Sequence, residues 1–213
     1  MEYESFVDKL RDYQKRIKDW ERFKADKKGT QFNKEQNTVI KFVAPLLSML
    51  GWDALSKEVE FEYLDTSGGR ADIALYINGK PTILIEVKPI QNTFKDKYPT
   101  KIFNYMTKSG IKYGVATNGK EVVLYHKYRG SEKNKRGSKL FSIRSDDFIT
   151  YSDVLWLLSK DMVGKGALDR FAEAFHRDND NFYKWRKQRM KPHDPNYNEY
   201  ILRLEFAKKH CSK

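Results

Sequence analysis

The chain has 213 residues, 39% apolar and 14% aromatic, and carries a net charge of +12 from 41 Lys+Arg against 29 Asp+Glu. That length suits one α/β domain with appended helices better than two full domains, and the aromatic content excludes a disordered chain. Its single cysteine, Cys211, excludes an internal disulfide, and no apolar run, Val43 to Leu50 being the longest candidate, nears the ~20 residues of a membrane helix. The opening residues scatter charge where a signal peptide needs an apolar core, so a soluble, intracellular protein of the reducing cytoplasm is expected.

Taken in chain order, apolar side chains at Phe6, Leu10, Tyr13, Ile17 and Trp20 recur at helical spacing and predict a helix over residues 5–24. Its charged faces leave it to pack on the domain or on a second subunit, and residues 26–30 break it. A second helix is expected from Asn33 to Gly51, kinked or interrupted where Pro45 removes a backbone donor. Residues 57–63 alternate Glu58, Glu60 and Glu62 with Val59, Phe61 and Tyr63, the pattern of a half-buried strand. A flexible loop at 65–69 leads to strands at 70–77 and 82–88, joined at Asn78-Gly79.

Pro99 near the first position and Gly110 just past the end bracket a helix over 99–109. Strands at 113–117 and 121–128 flank a second Asn-Gly pair, Asn118-Gly119, and residues 130–137 read as a basic, exposed loop. Helices follow at 153–159 and 166–175, with more helix toward the C-terminus. The order helix, three strands, helix, two strands, helix fits an α/β fold with a mixed sheet flanked by helices. The chain divides into an N-terminal helix (1–30), a core (31–144) and a C-terminal helical extension (145–213), all within one globular unit.

Charge is concentrated. Residues 88–144 hold 14 basic and 3 acidic side chains, giving 14 − 3 = +11 of the total. Such an excess repels itself unless a polyanion is the partner, so nucleic acid is expected; a generally basic composition is the alternative. Lys133, Lys135 and Arg136, with Arg129 and Lys127 behind them, would grip phosphate, which positions a backbone without reading sequence. A solvated charge run is the plainer alternative for the loop. Tyr183, Trp185, Arg186 and Arg189 read as helix packing rather than as a base-stacking surface.

An acid-x-Lys triplet occurs twice, at Asp26-Lys27-Lys28 and Glu86-Val87-Lys88, and only context separates them. Thr82 to Lys88 is otherwise apolar and β-branched, the character of a strand buried on both faces, where charges need partners or a cation. A three-residue hairpin loop, Asn78 to Lys80, would pair Ile77 with Pro81 and set Asp72 opposite Glu86, with Lys88 on the same face. A two-residue turn would send the acids to opposite faces. Two carboxylates together repel unless a cation lies between them, and an all-oxygen set suits Mg²⁺ or Mn²⁺; the histidines show no zinc spacing. A buried salt-bridge triad fits the same residues. Glu35, in helical register with Val39, Phe42 and Leu46, is either a charge at a helix N-terminus or a further acid of the site.

These pieces form an ordered set: Glu35-Gln-Asn-Thr38, Pro45-Leu-Leu with Leu50-Gly-Trp-Asp53, Gly69-Arg-Ala-Asp72 with Asn78-Gly-Lys-Pro81, Glu86-Val-Lys88, Ile102-Phe-Asn-Tyr105 and Thr117-Asn-Gly119. From Phe32 to Tyr128 the set resembles the N-terminal nuclease domain of type I restriction enzyme R subunits, within the PD-(D/E)xK superfamily. The resemblance implies a restriction-endonuclease-like fold with helical extensions at both ends. It implies metal-binding acids at Asp72 and Glu86, the Val87 carbonyl as a further ligand, Glu35 as a supporting acid (through water) and Lys88 as the catalytic lysine.

The family usually carries Gln where this chain has Lys101, which weakens the polar role of that position and leaves Lys101 among the expected DNA contacts. No helicase motor or methylation partner is seen, so a small stand-alone relative, as mobile elements and archaeal viruses carry, is the better comparison. The activity implied is a Mg²⁺- or Mn²⁺-dependent endonuclease on duplex or branched DNA, junction-resolving or site-specific, acting as a homodimer with no membrane role. A non-catalytic DNA-binding module and an RNA-processing nuclease are the alternatives.

Overall fold

The computed structural model describes residues 2–26, 35–64, 68, 70–92, 99–127, 139–177 and 204–209. Six strands form one sheet in sequential order: β1 (Val59–Phe61), β2 (Ile73–Ile77), β3 (Lys80–Val87), β4 (Tyr113–Thr117), β5 (Glu121–His126) and β6 (Lys139–Arg144). Every neighbouring pair is antiparallel except β3 and β4. A parallel pair needs a crossover, and helix α4 (Pro99–Ser109) supplies it. The fold is thus the expected α/β arrangement of a mixed sheet flanked by helices.

Alternation along the strands divides the core in two. Ile73, Leu75, Ile83, Ile85, Val87, Tyr113 and Val115 face the larger cluster, which is shared with helices α1 (Tyr3–Asp26), α3 (Ala44–Met49), α5 (Ser152–Trp156) and α7 (Ala167–Arg177). Ala74, Leu84, Ala116, Val123 and Tyr125 face the other way, against Ile102 and Met106 of α4. Gly114 lets α4 lie close: a Cβ there would fall 2.5 Å from the Met106 sulfur and 2.6 Å from the Ile102 Cγ1.

Helix α1 buries the stripe read from its sequence, with Phe6, Leu10, Tyr13 and Ile17 all 2% exposed or less. Its tyrosine reaches into the centre of the molecule, where the Tyr13 hydroxyl hydrogen is shared between the carbonyls of Gly119 (2.9 Å) and Phe42 (3.1 Å). The second helix is interrupted, as Pro45 requires. After α2 (Glu35–Thr38) the chain widens into a π-helical turn, Val39–Val43, and re-enters α3 at Ala44. The Ala44 N–H bonds to the Val39 carbonyl, five residues back, and this wider turn accommodates a ring that lacks a donor.

Four expectations need correction. Strand β1 is three residues long rather than seven, because Glu62 turns left-handed at φ 56° and ends it, leaving Phe61 41% exposed. Strand β6 was not expected: four consecutive buried residues, Leu140 to Ile143, hide the alternation, and Ser142 hides among them by donating to Glu121 Oε1 at 2.6 Å. The helix expected at 153–159 already ends at Trp156, and a separate short helix, α6 (Lys160–Gly164), follows it, because Ser159 sits extended and caps α6 by accepting the Met162 N–H. The basic loop at 130–137 and most of the C-terminal segment, including Tyr183, Trp185, Arg186 and Arg189, lie outside the described residues.

The fourth correction concerns register. The hairpin turn has two residues, not three: Ile77 pairs with Lys80 across Asn78 (φ 50°) and Gly79 (φ 72°), the left-handed pair of a tight primed turn. Taken alone, that turn would send Asp72 and Glu86 to opposite faces. A β-bulge intervenes, however. Tyr76 pairs with Pro81 but Leu75 pairs with Ile83, so Thr82 is an extra residue in β3 and the pairing advances by one. From there inward the register is the one a three-residue loop would have given.

At the opposite end of the sheet from Glu86, His126 Nδ1 lies 2.9 Å from His176 Nε2 of α7, and the two rings stack. Burial pushes both imidazoles down to about 4, against the raising effect of Asp169 on His126, with Lys112 lowering His126 and His126 lowering His176 further. A histidine lowered in the folded state takes up protons preferentially on unfolding, so stability is full above the ordinary value near 6.5 and falls as pH drops from there through 4. We expect the melting temperature to decline over that window, with a loss on the order of 2 kcal/mol after discounting for partial exposure. His176→Phe should flatten the decline; an equal slope in that variant would show that the pair is not its source.

Candidate active site

Strand β3 ends in two charges after a run of apolar residues, and the end of the sheet gathers their partners. Glu86 is fully buried on the α4 face, beside Ala116 of the parallel strand β4. Asp72 precedes β2 on the same face, and its backbone is held on both sides. Its carbonyl accepts the N–H of Glu62 at 2.8 Å, and the Ala71 N–H donates to the Tyr63 carbonyl at 3.0 Å. The left-handed turn at Glu62 that ends β1 therefore also fixes Asp72, an instance of local backbone strain beside a candidate site. Asp72 Oδ2 accepts the Val87 N–H at 2.6 Å, which locks the acid to the far strand.

Glu35 arrives from α2. One turn on, the buried Thr38 accepts the Ile90 N–H at 3.0 Å, clamping the start of that helix to the chain just past Lys88. The clamp sets Glu35 Oε1 2.8 Å from Lys88 Nζ. Lys88 Nζ also donates to Glu86 Oε1 and, at 2.9 Å, to the Val87 carbonyl, so three acceptors surround one ammonium group. Lys101, from the first turns of α4, donates to that same Glu86 Oε1 and lies 5.6 Å from the centre of the Tyr105 ring. Glu86 Oε2 has no hydrogen-bond partner among the described residues although it is buried.

Glu35, Asp72 and Glu86 each offer an oxygen within 4.8 Å of the others. Burial, then repulsion from Glu86, raises the Asp72 carboxyl above its ordinary value, against the lowering effect of the Val87 N–H. Burial would lower Lys88, but its hydrogen bonds to Glu35 and Glu86 outweigh it, and the ammonium is pushed up to about 12. Lys101 is raised in the same way, by Glu86 against burial.

An all-oxygen donor set, mutually repelling acids and an orphaned buried carboxylate oxygen all fit a hard divalent cation such as Mg²⁺ or Mn²⁺. The Val87 carbonyl faces the cluster, where Lys88 now occupies it. The alternative of a closed salt-bridge triad accounts for Oε1 of Glu86 and leaves Oε2 unexplained.

Of the residues singled out in the sequence, Glu35, Asp72, Glu86, Val87, Lys88 and Lys101 converge. Lys101, expected among the DNA contacts, is bonded inside the cluster. Lys127 does not join it: it follows the end of β5 that pairs with Tyr113, whereas the acids sit level with Ala116 and Thr117 at the other end of β4. Arg129, Lys133, Lys135 and Arg136 lie outside the described residues. Sequence reasoning missed the Thr38 clamp and the Glu62 turn. Thr38 had a signal, a polar residue on the core-facing side one turn after Glu35; Glu62 had none.

The family model of the type I restriction enzyme R protein N terminus matches residues 54–133. The match covers Asp72, Glu86, Lys88 and Lys101 and stops short of Glu35. Comparison with curated proteins and with solved structures gives no match. Among the described residues no helix is long and apolar enough to cross a membrane.

Proposed function

We propose that this chain is a divalent-metal-dependent endonuclease that hydrolyses DNA phosphodiester bonds, with Asp72, Glu86 and Glu35 as its metal-holding acids and Lys88 as its catalytic lysine. One observation carries the reading. Three carboxylates meet within 4.8 Å at a strand end, one of them with a buried oxygen that no described residue satisfies, beside a lysine that touches two of them. When bound, Mg²⁺ or Mn²⁺ supplies Lewis-acid polarisation of the scissile phosphate and makes water more acidic.

The chain's own groups do the rest. Asp72, fixed by the Val87 N–H and by its own carbonyl, presents an oxygen at constant geometry. Lys88 spends its donors on Glu35, Glu86 and the Val87 carbonyl, which marks it as an ammonium. It offsets charge that builds on the phosphoryl oxygens and orients the attacking water rather than removing its proton. A non-catalytic DNA-binding module accounts less well for the site, since three acids beside a phosphate repel it. The charge excess of residues 88–144 supplies the phosphate-binding surface. Cutting both strands of a duplex or a junction takes two centres, so the reading includes a homodimer.

The test is incubation of the full chain with labelled duplex, single-stranded and four-way-junction DNA and matched RNA, in Mg²⁺, Mn²⁺ or EDTA. Metal-dependent internal cleavage of DNA is expected, and the substrate cut fastest separates a junction-selective enzyme from one acting on plain duplex. Tight binding of all DNAs with no cleavage would install the binding-module reading; preferential RNA cleavage would reassign the substrate.

A further inference from the structure

The two oxygens of Glu86 are used unequally. Oε1 takes two ammonium groups, from Lys88 on its own strand and from Lys101 on α4, at 2.5 Å each. Oε2 takes none among the described residues and is buried. The Glu86 side chain is 1% exposed while that of Lys101 is 48% exposed, so Lys101 reaches the acid from the open side of the centre.

Formal charge follows from these residues. Three carboxylates and two ammonium groups sum to −3 + 2 = −1. One divalent ion brings the centre to +1, which one phosphate charge balances. A second ion would bring it to +3 beside two ammonium groups, in a half-buried place where like charges are poorly screened. A neutral residue at position 101 returns the empty centre to −2 and frees one of the two positions on Oε1.

We propose that Lys101 is a positioning residue that turns Glu86 so that Oε2 faces the cation and restricts the centre to a single divalent ion, standing where a second ion would otherwise bind. This rests on the nuclease reading above, but it concerns metal binding and needs no cleavage to be observed.

The test is titration of the full chain with Mn²⁺, without DNA, followed by calorimetry and by electron paramagnetic resonance of free and bound Mn²⁺, with melting temperatures to verify folding. Wild type and Lys101→Arg are expected to bind one ion per chain, and Asp72→Ala none. Lys101→Gln is expected to bind a second ion per chain, because the place of the ammonium group is then open to it. Two ions in wild type, or only one ion in folded Lys101→Gln, would overturn the role of Lys101 and leave the nuclease reading standing. No Mn²⁺ bound by wild type would overturn both.

Discussion

Asp72→Asn is expected to reduce DNA cleavage by about 10³-fold or more while leaving the melting temperature unchanged or higher. The two effects separate the readings of the acidic cluster. Asn keeps an oxygen to accept the Val87 N–H, so the bond between the strands survives. What disappears is the charge, which the folded protein holds at a cost. Burial and the nearby Glu86 raise the Asp72 carboxyl above its unfolded value, so ionisation opposes folding at every pH above the folded value. A residue that lowers stability and serves only packing is hard to account for; one that holds a cation is not. If the cluster were merely a salt-bridge triad, Asp72→Asn should leave any cleavage intact. Thermal melts and single-turnover cleavage of the two proteins, side by side, decide it.

Gly119→Ala is expected to lower stability by about 2–4 kcal/mol, or roughly 5–15 °C in melting temperature. Two independent costs add. Gly119 sits at φ +82°, where a side chain is strained by about 1 kcal/mol. A Cβ there would also fall 2.6 Å from the Phe42 Cβ and 3.3 Å from the Tyr13 hydroxyl. Phe42 belongs to the π-helical turn and cannot recede without moving it, and Tyr13 shares its hydroxyl hydrogen between Phe42 and Gly119. The tight turn of β4–β5, the interrupted helix and α1 therefore meet at one point. Gly79→Ala is the control: its φ is +72° but no described residue lies within 4 Å of the added carbon, so only the smaller backbone cost should appear. Equal losses in the two variants would remove the steric argument.

Much of this was legible in the sequence, for physical reasons that vary from element to element. The α1 stripe was plain because one buried face on a long helix repeats many times. β3 was plain because an apolar, β-branched run ending in two charges has few places to go. The interruption at Pro45 was expected, although its π-helical form was not, since a missing donor can be absorbed by a kink, a break or a wider turn. The hairpin shows how a right outcome can have a different cause. The acids share a face because a bulge at Thr82 compensates a two-residue turn, and no residue pattern announces a bulge whose extra residue is an ordinary strand former. The bond from Lys101 to Glu86 was not legible, because Glu86 lies across a helix–sheet contact that only tertiary structure creates. β6 went unseen because burial on both sides erases the period of two.

On the proposed reading, the carboxylates gathered by β2, β3 and α2 cut DNA with a divalent ion. Nicking of supercoiled plasmid by wild type and by Asp72→Asn, each with Mg²⁺ and with EDTA, tests it most directly. Nicking by wild type in Mg²⁺ alone is the expected result. Nicking that persists in Asp72→Asn, or a wild type that binds the plasmid and never nicks it, would contradict the account.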